Sequence, residues 1–325
     1  MRTEWFGMSA RNRCLIVVNK YWECDPVCWA LTNGYLRERC DVKLPWPRLL
    51  TYPSYGPVKS QTPAPRLIYA TEGIQVEVWC ISDMLSKFED KPKFQSSSER
   101  KMEVLGAIFD NNSMPVKLVA AVGTASSGPF YPMYQGAEQG NINGSVVVGS
   151  KVFMHDGHPE GNPNPDSKWR CNYFDHLMDS SFSDISMLKK MGADNLETAM
   201  LSPPTNPASN GQHIYASDKY IAIGDVNVTD YGEYEKKDKE AGKCFLDICQ
   251  GNTNGVSLET THGLIYATAR NHFQADPPFI FVSGVVDRFT SFKEDVGPKP
   301  YAQNVTGAHN AGVVVAQLVA DLLKN

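Results

Sequence analysis

The chain lacks several features that would each have named a class of protein. No apolar run approaches the roughly 18 residues of a membrane-spanning helix. The first residues, "MRTEWFGMSARNR", lack the apolar stretch that a secretory signal requires. No basic stripe stands out, and the net charge is -5 over 325 residues. A phosphate backbone therefore finds no electrostatic footprint, and nucleic acid is not an expected partner. The eight cysteines, Cys14, Cys24, Cys28, Cys40, Cys80, Cys171, Cys244 and Cys249, form no paired CxxC arrays. No His pair follows Cys24 with Cys28, or Cys244 with Cys249, at zinc-ligand spacing, so no metal is expected. They read as thiols of a reducing compartment. The sequons at Asn111, Asn143, Asn227 and Asn304 then carry no glycan. A cytoplasmic protein without a membrane segment is expected. No serine sits in a G-x-S-x-G elbow, which removes support for a hydrolase triad, and no internal repeat is visible.

What remains is ordinary for a globular enzyme or binder: 42% hydrophobic and 21% charged residues, enough for one large α/β domain or two smaller ones. "RCLIVVNKY" (13–21) reads as a buried strand. Positions 41–66, rich in proline and aromatics, read as a long loop. "RLIYATEGIQVEVWCIS" reads as a hairpin turning at Glu72-Gly73. "SSSERKMEVLGAIFDNN" reads as a capped helix with Met102, Leu105 and Ile108 on one face. Then come a strand over 116–123, a turn "TASSG", and a strand over 144–154. Positions 157–183 read as loop, "DISMLKKMGA" as a short helix, and "HIYASDKYIAIGDVNV" as two strands. "DPPFIFVSGVVD" (276–287) is a strand introduced by prolines. "NAGVVVAQLVADLLKN" closes the chain as an amphipathic helix with Val314, Leu318 and Leu322 in line. Strands alternating with helices point to one three-layer α/β domain.

Three stretches carry chemistry. "VAAVGTASSG" suggests a phosphate-cradling loop, but "PFYPMYQGAEQGNING" cannot supply the helix that a dinucleotide site needs next. It is either a small-residue turn or a loop whose amides, with Thr124, Ser126 and Ser127, line a cleft at the carboxyl ends of strands. "FVSGVVDRF" places Asp287 directly after a buried strand. Such an acid can have a raised pKa and give up a proton near neutrality, or it can simply cap a helix or pair with Arg288. In "NGVSLETTHGLIYATAR", Glu259 stands where a strand gives way to a helix. It can face the positive end of that helix, or it can hold a ligand. The seven histidines form no constellation.

Taken in order, "LIVVNKYWE", "VAAVGTASSG", "GSVVVGSKVFMHD", "AIGDVNV", "VSLETTHG" and "FIFVSGVVDRF" resemble the purine nucleoside phosphorylase and nucleosidase superfamily, most closely its methylthioadenosine/S-adenosylhomocysteine nucleosidase branch. The resemblance spans roughly positions 13 to 325, with 41–66 and 157–183 as insertions. It implies a single three-layer α/β domain with a mixed central sheet flanked by helices. It also implies cleavage of an N-glycosidic bond through an oxocarbenium-like sugar. Glu259 matches the glutamate that accepts hydrogen bonds from the ribose hydroxyls, an acceptor-only and charge-assisted role. Asp287 matches the aspartate that protonates or hydrogen-bonds the purine N7. Leu258 takes the place of a methionine under the sugar, and Asn227 and Val228 fall where relatives stack on the base. Thr124, Ala125, Ser126 and Ser283 complete the implied substrate-binding set.

The departures set the nucleophile. The arginine that holds phosphate in the phosphorylases stands two residues before the glycine of the turn, where this chain has Ala121. "NKYWECDP" replaces the phosphate-binding glycine loop. Phosphate without a guanidinium partner is poorly held, which favours water. Glu23 matches the glutamate that activates water, with Asp25 as its rival. Ser283 stands in place of an arginine four residues before the aspartate. A phosphorylase remains the alternative if Arg37, Arg39 or Arg48 holds phosphate, and a non-catalytic nucleoside-binding or storage protein is a third. The resemblance implies no cofactor, a small-molecule nucleoside substrate, and a homo-oligomer of at least two subunits.

Overall fold

The structure, a computed structural model, describes residues 12–32, 49–51, 64–70, 73–85, 98–127, 133–134, 137–138, 141–155, 178–179, 196–204, 211–216, 221–225, 256–275, 277–288, 291, 294–295 and 299–322. In chain order these form β1 (Asn12–Val18), α1 (Tyr21–Thr32), β2 (Leu49–Thr51), β3 (Leu67–Ala70), β4 (Ile74–Cys80), α2 (Ile81–Leu85) and α3 (Ser98–Asp110). Next are β5 (Val116–Ser127), β6 (Met133–Tyr134), β7 (Ala137–Glu138), β8 (Val146–Gly149), β9 (Lys151–His155), β10 (Met178–Asp179), β11 (Ile214–Ala216) and β12 (Ile221–Asp225). The chain closes with β13 (Val256–Glu259), α4 (His262–Phe273), β14 (Phe279–Arg288) and α5 (Tyr301–Leu322). The short-helix expectation at "DISMLKKMGA" lies outside the described residues.

Among the described residues twelve strands make one mixed sheet, ordered β10-β9-β12-β13-β5-β1-β4-β3-β2, with β14 beside β5 and β8 joining β14 to β11. β5 is its hub. It runs parallel to β1 and β14, and its last residues meet β13 antiparallel. Side chains alternate across β1. Cys14, Ile16 and Val18 join the core under α1 and α5, whereas Leu15 and Val17 join the core under α3 and α4. Both faces are covered, as a parallel strand with no polar alternation requires. The result is a three-layer, helix–sheet–helix arrangement. No helix among the described residues is long and apolar enough to cross a membrane.

Several local expectations are corrected. The first strand ends at Val18, and Tyr21 opens a helix that the sequence pattern hides because Pro26 lies inside it. An interior proline costs a helix on the order of 3 kcal/mol. Dense packing on α5 offsets it: a Cβ on Gly312 would meet Ala30 Cβ and Val27 Cα at 2.9 Å. The segment 144–154 is two strands, broken at Ser150, so that β8 serves β14 and β9 serves β12. The expected loop at 41–66 contains β2, and that at 157–183 contains β10. Short α2 follows β4 where only strand was expected. The last helix starts at Tyr301, not Asn310, and is buried all round from Thr306 to Ala320 rather than amphipathic.

At the amino ends of the strands, Arg13 forks onto Glu77 (2.9 and 2.8 Å) and donates to the Ile108 and Phe109 carbonyls that end α3. Trp79 Nε1 donates to the same carboxylate at 2.7 Å. Both charges are fully buried. Glu77→Ala, which strands the guanidinium, is expected to cost about 3–5 kcal/mol in urea unfolding.

Candidate active site

The carboxyl ends of β1, β5, β13 and β14 converge, and each delivers a polar side chain. Glu23 rides on the first turn of α1, just beyond β1. Its Oε1 accepts the Thr124 N–H at 2.8 Å and the Thr124 hydroxyl at 2.7 Å, and its Oε2 accepts the Lys20 N–H at 3.1 Å. A Cβ on Gly123 would stand 3.1 Å from Glu23 Oε1, so glycine leaves the carboxylate its seat. Burial pushes the Glu23 carboxyl above its ordinary value, and the charge of Glu259 pushes it further. Asp25 turns away. It pairs with Arg66 and borders a cavity of about 280 Å³ on the outer side of α1 and α5, lined also by Trp22, Trp29 and Tyr301.

Glu259 ends β13 and is buried. Its Oε2 accepts the N–H groups of Thr261 and His262, both at 2.5 Å, while Thr261 itself offers α4 no side-chain cap. The carboxylate therefore satisfies the first turn of α4, as the helix field favours, and still reaches the cluster. Burial raises its pKa, offset by the charge of Lys101 and by these amides. Lys101 Nζ donates to Thr261 Oγ1 at 3.3 Å.

Asp287 is also buried. A bulge in β14 between Val285 and Asp287 shifts the register and sets it opposite Ser126. Ser126 Oγ donates to its Oδ1, and Lys299 Nζ donates to its Oδ2 at 2.5 Å. The partner is thus Lys299 and not Arg288, whose guanidinium is taken by Asp295 at 2.7 Å. The close approach that brings α5 here depends on glycine: a Cβ on Gly284 would meet the Gly307 carbonyl oxygen at 1.9 Å.

The described part of "TASSG", Thr124 to Ser127, is strand and not a turn. Thr124 to Ser127 continue β5, because β13 and β14 both pair with them. Ala125 is buried opposite Val285, and Leu258 lies opposite Ser126. Ser283 is buried and accepts from Ser257 Oγ at 3.1 Å. Its hydroxyl meets His262 Nδ1 at 3.4 Å. Asn227, Val228, Arg37, Arg39 and Arg48 lie outside the described residues. Two residues of the candidate site escaped the sequence reading. Lys299 sits in an irregular stretch without a pattern, while His262 could have been found as the i+3 neighbour of Glu259 on the first helical turn. Among the described residues no group of three or more His, Cys, Asp or Glu is arranged to hold a metal.

The chain matches no protein-family model and no curated protein sequence. Its likenesses are structural. The 5'-methylthioadenosine/S-adenosyl homocysteine nucleosidase of Helicobacter pylori is 11% identical with a TM-score of 0.51, over 96% of this chain and 100% of that one. The corresponding nucleosidase of Colwellia psychrerythraea, solved in complex with adenine, is also 11% identical with a TM-score of 0.51, over 95% and 96% of the two chains. At such identity the likeness shows the fold, which is the nucleosidase fold of these proteins.

Proposed function

We propose that the protein hydrolyses the N-glycosidic bond of a purine nucleoside or a relative of one. One observation carries this reading: three buried carboxylates, Glu23, Glu259 and Asp287, stand at neighbouring strand ends, each with a different environment. Separate environments allow separate roles. Glu259, an acceptor, suits the sugar hydroxyls. Asp287, hydrogen-bonded by Ser126 and Lys299, suits the base nitrogen that takes up a proton as the bond breaks. Glu23, with its raised pKa, suits removal of a proton from the attacking water. Positive charge developing on the sugar would lie among carboxylates, which favours the transition state over the neutral substrate. That solved proteins sharing this fold are nucleosidases, one holding adenine, supports the same reading.

Water as nucleophile is supported by Ala121. It is fully buried in the sheet, paired with Val17 and Phe281 and packed in the core, so no guanidinium issues from this position. Two of the cations described near this end, Lys101 and Lys299, are engaged with Thr261 and Asp287. The test is base release from a panel of purine nucleosides in phosphate-free buffer, followed by chromatography. Release of a free purine is expected. A panel bound but left uncut would favour a nucleoside-binding protein instead.

A further inference from the structure

His262 is 1% exposed, and the burial that holds it neutral brings its pKa down to about 4. Its ring stacks on Phe281 at a centroid distance of 6.2 Å. Ser257 Oγ donates to Ser283 Oγ, which leaves the Ser283 hydrogen for His262 Nδ1. The ring's own proton then belongs on Nε2. Among the described residues that Nε2 has no hydrogen-bond partner, and it stands 3.8 Å from Glu259 Oε2, too far for a direct bond. A buried donor left unpaired is costly, so this one calls for an explanation.

A donor and an acceptor side by side ask for a group that both accepts and donates. A hydroxyl does both, whereas an ammonium cannot accept and a carbonyl cannot donate. We propose that His262 Nε2–H donates to the same sugar hydroxyl that donates to Glu259, making His262 a specificity-determining contact for a ribose over its deoxy analogue. The proposal rests on the nucleosidase reading of the site and adds to it a residue and a substrate preference. A neutral imidazole suits the role. It contributes a donor without placing a cation beside the oxocarbenium-like sugar, and its Nδ1 partner fixes which nitrogen carries the proton.

The test compares kcat/KM for adenosine, 2'-deoxyadenosine and 3'-deoxyadenosine in the native protein and in His262→Phe, which keeps an aromatic ring but cannot donate. Native protein is expected to prefer adenosine over one deoxy analogue by on the order of 100-fold or more, because a site built around a hydroxyl rejects its absence. His262→Phe is expected to lose about 10-fold or more on adenosine with little change on that analogue, so the ratio collapses. His262→Gln, which restores an amide donor, should recover part of the ratio and guards against a merely misfolded variant. Equal losses on all three substrates would overturn the proposal and make His262 a packing residue. If native protein cleaves none of them, adenosine is not a substrate and binding replaces the kinetic comparison. The same three compounds are then compared by calorimetric binding, where equal affinities overturn the role of His262 and a native-only preference for adenosine supports it.

Discussion

Glu23→Gln is expected to lower kcat by about 10²–10⁴ with little change in substrate affinity. General-base assistance is worth about that much, and an amide cannot take a proton from water. The same substitution should alter how stability depends on pH. Burial and the charge of Glu259 raise the Glu23 pKa in the folded protein. Stability from such a group is fully present below its ordinary value and is lost as pH rises through the raised one. The native protein therefore gives up stability toward neutral and alkaline pH, and Glu23→Gln, having nothing to ionise there, gives up less. Urea unfolding of both proteins at about pH 5 and about pH 8 measures this, and the gap between them should move in favour of the variant at the higher pH. The variant retains some slope, because Glu259 has a raised pKa as well. Full activity in the variant, or an unchanged gap, would remove Glu23 from its role.

Asp287→Asn is the second large effect. Loss of the group proposed to stand beside the leaving base is expected to cost about 10²–10⁴ in kcat on a purine nucleoside, with binding retained. The cost should depend on the leaving group. A 4-nitrophenyl riboside departs without protonation, so its hydrolysis should suffer far less in the variant. A uniform loss on both substrates would instead mean that Asp287 holds the fold together through Ser126 and Lys299.

The architecture was legible in the sequence because it rests on periodicity. The strand run that places Ile74, Val76 and Val78 in one core, the apolar face of Met102, Leu105 and Ile108, and the strand-to-helix joint at Glu259 all stand in the structure. Helix α1 was hidden because its proline is a local signal for ending a helix, whereas its stability comes from α5, far away in sequence. The extension of β5 through Ser127 was hidden for the same kind of reason. "TASSG" reads as a turn until β13 and β14 supply its hydrogen-bonding partners. For the proposed site, Glu23, Glu259 and Asp287 are proposed from their order along the chain. Their partners could not be read there, because Lys299 reaches Asp287 through an irregular stretch and Ser283 reaches His262 across the sheet. Between Glu23 and Asp25 the proposal follows helical direction: two residues apart on α1, they face opposite sides, one toward Thr124 and the other toward Arg66.

The most direct measurement of the central claim is the sugar product formed from a cleaved purine nucleoside, with the rate followed in the absence and presence of inorganic phosphate. Free ribose at a rate that phosphate leaves unchanged is the result expected if water attacks at the Glu23 side of the site. Ribose 1-phosphate formed only when phosphate is added, or no base release under either condition, would contradict it.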